Sequence, residues 1–228
     1  MALIEKAKGR RENQSPSGYI RLFGIKELGN LMSRIQGAVI SSGTELEKLI
    51  FERVTKIDDL DQFVIKTLHE KKVGIWIANK KQVKESETIK SKYEPDFLAF
   101  DLIKRICYVI EVKDGDSFDT KKSAGEYVTL HNFTNDISQA LAFSFQIYVC
   151  AFNANTREEI YNGLKHKFKM DEVLTGKELC ALFKIDYNKI VKIRTNDQQA
   201  NIEYFVKQLL AIPKIKIMIS KRLNNSNK

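Results

Sequence analysis

Two apolar runs, residues 95–100 and 106–113, are joined by only the five residues 101–105, close enough to pair as an antiparallel hairpin. The chain on either side of this hairpin has a different period. Upstream, Leu28, Leu31, Met32 and Ile35 fall at helical spacing within residues 25–40, and Leu46, Leu49, Ile50 and Val54 repeat the spacing within residues 45–54. Ser41, Ser42, Gly43 and Thr44 punctuate these two expected helices. A strand-like run at residues 73–78 precedes a basic polar loop or excursion at residues 79–92. Downstream, Asp114 to Ser117 break the chain, a helix is expected at residues 134–143 and a strand at 146–152. Helices follow at 157–167, 177–183 and 202–210. Helices first, strands in the middle and helices last describe an α/β protein with a central mixed β-sheet flanked by helices.

The 228 residues suffice for one substantial core, so residues 1–228 read as a single domain with a basic arm at 1–18 and a basic tail at 213–228. The longest apolar stretches are too short and interrupted to cross a bilayer, which argues against a membrane protein. The first residues, with Glu5, Lys6, Lys8, Arg10 and Arg11, lack the apolar segment of a secretory signal. Cys107, Cys150 and Cys180 lie far apart and form no CxxC pair, which fits reduced core residues and a cytoplasmic location better than disulfides or zinc. A formal charge of +9 and a pI near 9.3 make nucleic acid the leading partner class.

Residues 94–113 read E-P-D-F-L-A-F-D-L-I-K-R-I-C-Y-V-I-E-V-K, with charges at unusual places for apolar strands. Side chains alternate across a strand, so Glu111 and Lys113 project from one face while Val112 projects from the other. The hairpin can bring Asp96, near the start of the preceding strand, alongside Glu111. Two carboxylates aimed at one point need a counter-charge, and oxygen donors suit a hard cation such as magnesium, with manganese expected to substitute. Such an ion polarises a phosphoryl oxygen and supplies an activated water, beside which Lys113 would orient the water and offset charge on the phosphate.

Pro95-Asp96, fourteen intervening residues and then Glu111-Val112-Lys113 resemble the signature of the PD-(D/E)XK nucleases, a superfamily that includes many type II restriction endonucleases. The resemblance implies that Asp96 and Glu111 bind the metal, that the carbonyl of Val112 joins them, and that Lys113 serves the attacking water. It further implies cleavage of double-stranded DNA at a specific, palindromic site by a homodimer, with a cognate DNA methyltransferase as functional partner. Many members also place a carboxylate of an early helix beside the metal, as G-x-x-x-E, and Gly43 to Glu47 fits that form. Glu47 borders the apolar stripe of its helix, whereas Glu45 lies farther round towards solvent, so Glu47 is the candidate. Thr44 to Glu47 equally reads as a capping box in which Glu47 only returns a hydrogen bond to the helix start.

Three basic segments are expected to hold DNA phosphates: the arm, residues 79–92 and the tail. The polar stretch 117–135, with Lys121, Lys122, His131, Asn132 and Asn135, is a candidate for reading bases, with a solvated loop as the plain alternative. Two other functions use the same residues. One is a structure-specific nuclease, such as a Holliday-junction resolvase or repair nuclease. The other is a DNA-binding module on a degenerate nuclease fold, against which the intact Asp96, Glu111 and Lys113 argue.

Overall fold

The computed structural model describes residues 1–9, 17–66, 73–115 and 120–226. In chain order they form helices α1 (Gly18–Phe23), α2 (Lys26–Phe51) and α3 (Leu60–Lys66), strand β1 (Ile75–Asn79), helix α4 (Lys80–Glu85), and strands β2 (Phe97–Asp101) and β3 (Ile106–Lys113). Helix α5 (Thr120–Ile137), strand β4 (Ser144–Ala151), helix α6 (Arg157–Gly163), a single 3-10 turn (Met170–Glu172) and strand β5 (Val173–Thr175) follow. Helices α7 (Gly176–Phe183), α8 (Tyr187–Leu210) and α9 (Pro213–Ser226) complete the chain.

The sheet is mixed, in the order β1-β2-β3-β4-β5. The first three strands pair antiparallel, and β3 to β4 and β4 to β5 pair parallel. A parallel pair needs a crossover connection, and α5 supplies it between β3 and β4. With helices around a five-stranded mixed sheet, the expected α/β class is observed, and the hairpin lies at residues 97–113 as its apolar runs require.

The chain divides into two compact units, Met1–Leu46 with Asn188–Lys228, and Glu47–Tyr187. In the second unit, alternation sorts the strand residues into two apolar layers. Leu98, Phe100, Cys107, Val109, Ile147 and Val149 bury one face of the sheet with Phe63 and Val64 of α3, Val83 of α4, Leu130, Phe133 and Ile137 of α5, and Ile160 of α6. On the opposite face Phe97 stacks on Phe51 at 6.3 Å and meets Phe183 edge-on at 5.9 Å. All three cysteines are buried and free. Among the described residues no helix is long and apolar enough to cross a membrane.

The first unit is helical and tied together by polar contacts. Asn201 of α8 accepts the Ile4 N–H at 2.7 Å and donates to the Ala2 carbonyl at 3.0 Å, and Arg34 of α2 donates to the Tyr204 hydroxyl at 3.0 Å. Residues 1–9 of the expected arm therefore lie against helices, with Ile4 buried, while residues 10–16 are outside those described. The expected tail forms α9 up to Ser226.

Three sequence readings are corrected. Residues 41–44 do not divide two helices: they lie inside α2, where Ser41 Oγ donates back to the Gly37 carbonyl at 2.9 Å and Ser42 is buried and accepts a hydrogen bond from Arg194 at 3.2 Å. Tertiary partners here outweigh weak helix propensity. The helix expected at 134–143 instead runs from Thr120 to Ile137, so residues 120–135 of the polar stretch are helical rather than a loop. The excursion at 79–92 opens with α4, whose first turn is closed by a capping box between Asn79 and Gln82.

The continuity of α2 yields a stability prediction. A methyl group added at Gly43 would have nothing within 4 Å, and Gly43 sits in a helix interior. Gly43→Ala is expected to stabilise the protein by about 0.5–1 kcal/mol, through the reduced entropy of the unfolded chain. Chemical denaturation checks this; a destabilised variant would contradict an unbroken helix at residues 41–44.

Candidate active site

The sheet register places the charged residues. Phe97 pairs with Ile110, so Asp96, one residue before β2, stands opposite Glu111 on the same face of the sheet. Asp96 is 4% exposed and is fixed twice: its Oδ2 accepts the Val112 N–H at 2.9 Å, and its own carbonyl accepts the Lys80 N–H at 3.0 Å. Glu111 is also buried. Lys113, on the same face of β3, puts its Nζ 2.5 Å from Glu111 Oε1 and 3.1 Å from Glu126 Oε2 on α5. Asp96, Glu111 and Lys113 are thus brought together.

Glu47, half-buried near the end of α2, is within electrostatic reach of Asp96, Lys80 and Lys113. Thr44 lies in the interior of α2, so the capping-box reading of Thr44 and Glu47 falls. Glu45 does not face solvent as the helical wheel suggests: its side chain is partly buried, 3.1 Å from the Met1 amino group and 4.0 Å from Arg194 Nε.

Two further charged groups, neither evident from the sequence, complete the cluster. Lys80, the first residue of α4, holds its Nζ 3.5 Å from Asp96 Oδ1. Glu126 comes from the first half of α5, where the buried stripe contains Ser123 rather than an apolar residue and so leaves little helical signal. Lys80 directly follows β1, and the β1–β2 pairing carries it to the start of β2.

Four carboxylates, of Glu47, Asp96, Glu111 and Glu126, share this cluster with the two ammonium groups of Lys80 and Lys113. Burial, reinforced by the Asp96 charge, raises the Glu47 carboxyl to about 7. Burial and then Asp96 push Glu111 up to about 8, against the opposing pull of Lys113. Burial would lower the Lys113 ammonium, but Glu111 and Glu126 outweigh it and raise it. The excess of acidic groups and their hard oxygen donors fit a divalent cation. Among the described residues no three His, Cys, Asp or Glu side chains form a metal-binding group. A cation here would therefore draw part of its shell from water and substrate, as magnesium commonly does.

These shifts set a pH dependence for the metal-free protein. Both carboxyls have folded values above their ordinary 4.5, so the folded state holds protons that the unfolded chain has released. Their contribution to stability is therefore lost as pH rises from about 4.5 through 7 and 8. Thermal melts in a chelator across this range should show a steeper decline for the wild type than for Glu111→Gln. Parallel curves would contradict the proton uptake assigned to Glu111.

The chain is 40% identical to the Type II restriction enzyme HhaII of Haemophilus parahaemolyticus, in an alignment that covers 97% of this chain and 99% of that enzyme. No family model and no solved structure matches it.

Proposed function

The chain belongs to the type II restriction enzymes, sequence-specific endonucleases of DNA, and within that activity we propose that Asp96, Glu111 and Lys113 carry the hydrolysis on a PD-(D/E)XK core. The observation that supports this most is the pairing of Asp96 opposite Glu111 with the Lys113 ammonium 2.5 Å from Glu111. Asp96, Glu111 and the Val112 carbonyl are the donors we assign to a magnesium ion, with manganese able to replace it. When bound, the ion supplies Lewis-acid polarisation of the scissile phosphate and an activated water.

The remaining steps belong to the protein's own groups. Lys113 carries its proton at Nζ between Glu111 and Glu126, and we assign it to orient the attacking water and to offset the charge growing on the phosphate. Glu47, whose carboxyl titrates near neutrality, is placed to accept a hydrogen bond or a proton at the same cluster. Water adds to phosphorus, one phosphorus–oxygen ester bond breaks, and the strand ends leave as a phosphate and a hydroxyl.

The whole chain is read as one nuclease domain acting in the cytoplasm. Cutting both strands of a palindromic site is most simply done by a homodimer whose two-fold axis matches that of the site. A DNA methyltransferase that protects the same site is the expected functional partner. The exposed Lys121 and Lys122 of α5, the basic residues around α4 and those of α9 are the proposed phosphate contacts, and Asn132 and Asn135 of α5 remain candidate base readers.

The structure-specific alternative is tested by substrate choice. Purified protein with magnesium is expected to cut linear duplex DNA into discrete fragments and to leave a synthetic four-way junction intact. Symmetric cutting of the junction with the linear duplex untouched would replace this reading by that of a resolvase.

A further inference from the structure

Lys80 is built into the site more firmly than a surface lysine. Asn79 Oδ1 accepts the Gln82 N–H at 3.0 Å, Gln82 Oε1 accepts the Asn79 N–H at 3.1 Å, and the Gln82 amide donates to the Ile57 carbonyl. These bonds fix the first turn of α4 while the Lys80 N–H holds the Asp96 carbonyl. The side chain itself is half-exposed, at 47%, whereas that of its partner Asp96 is 5% exposed. The neighbouring lysines differ in their partners. Lys81 lies 3.8 Å from Glu85 and Lys84 lies 3.7 Å from Glu94, whereas Lys80 pairs with the carboxylate assigned to the cation.

We propose that Lys80 is a phosphate-binding residue of the active site, resting on Asp96 in the metal-free protein and turning its ammonium to a phosphate oxygen of the DNA when a divalent cation takes that carboxylate. This rests on the reading of Asp96 and Glu111 as the hydrolytic carboxylates. The exchange follows from charge. The Lys80 ammonium lies 3.5 Å from Asp96 Oδ1, so a cation held by that carboxylate would repel it, and a scissile phosphate brought to the same site would offer it a new anionic partner. Lysine suits this because it is a point charge on a flexible stem and needs no fixed bidentate geometry. Lys113 is held by two carboxylates, Glu111 and Glu126, and is the less free of the two cations to follow the phosphate.

Lys80→Met and Lys80→Arg are the test, each confirmed as folded by thermal melting. Binding of a duplex that carries the site cut by the wild type is measured in calcium, which supports binding without efficient hydrolysis, over a range of salt. The slope of log affinity against log salt is expected to fall by about 0.9 in Lys80→Met, the loss of one phosphate contact, and to return in Lys80→Arg. Without DNA, calorimetric titration with calcium is expected to show tighter binding to Lys80→Met, because a competitor for Asp96 is gone. A Lys80→Met slope equal to that of the wild type, with cleavage lost in Glu111→Gln, overturns the Lys80 assignment alone. Cleavage that survives Glu111→Gln overturns the underlying site as well.

Discussion

Glu111→Gln is expected to lower DNA cleavage by roughly 10²–10³-fold or more while leaving the fold intact and, at neutral pH in a chelator, a melting temperature at or above that of the wild type. Glu111 is 8% exposed, and burial with the Asp96 charge raises its carboxyl to about 8. Burial and the Asp96 charge favour the protonated carboxyl in the metal-free protein, against the pull of Lys113, so a neutral amide of the same shape costs the fold little. The amide is a poorer cation ligand than a carboxylate, so the loss falls on catalysis. Asp96→Asn should behave in the same way, because an amide oxygen can still accept the Val112 N–H that Asp96 accepts at 2.9 Å. Contacts to phosphates elsewhere should preserve most DNA affinity. Single-turnover cleavage beside circular-dichroism melts separates the two effects.

Lys113→Met is expected to lose cleavage to a similar extent and, unlike Glu111→Gln, to lose stability as well. Its ammonium lies between Glu111 and Glu126, at 2.5 and 3.1 Å, with the Lys113 side chain 25% exposed and that of Glu111 11%. Removing one partner of a fully buried ion pair costs about 3–5 kcal/mol, because an uncompensated charge remains. Partial exposure and the ready protonation of Glu111 reduce this to roughly 1–3 kcal/mol in the metal-free protein. Magnesium should restore part of the loss, since the cation supplies the missing positive charge. Melting curves with and without magnesium check this; equal stability of Lys113→Met and wild type would contradict the counter-charge role.

The part of the site that lies on the hairpin was legible because strand geometry is local. Alternation puts Glu111 and Lys113 on one face, and the five-residue link 101–105 leaves Asp96 close to pairing with Glu111. Glu47 was legible as one of two readings, and only the unbroken course of α2 removes the capping alternative. Lys80 and Glu126 were not legible, because each reaches the cluster through packing rather than period. Lys80 depends on the β1–β2 register and the Asn79–Gln82 capping box, and Glu126 on how α5 crosses the sheet. Propensity misled at residues 41–44, where Ser42 is buried against Arg194, a partner far away in the sequence. Strand β5, with only three residues, is too short for any period to appear.

The most direct test of the central claim is to digest several unrelated duplex DNAs with purified wild-type protein and magnesium, beside Glu111→Gln, and to sequence every new end. Base contacts in the grooves discriminate each wrong base pair by roughly 1–3 kcal/mol, enough over a short site to confine cleavage to one motif. The wild type is expected to leave ends that all share one short motif, and Glu111→Gln to leave none. Ends without a common motif, or the same ends produced by Glu111→Gln at the wild-type rate, would contradict a sequence-specific nuclease that works through this site.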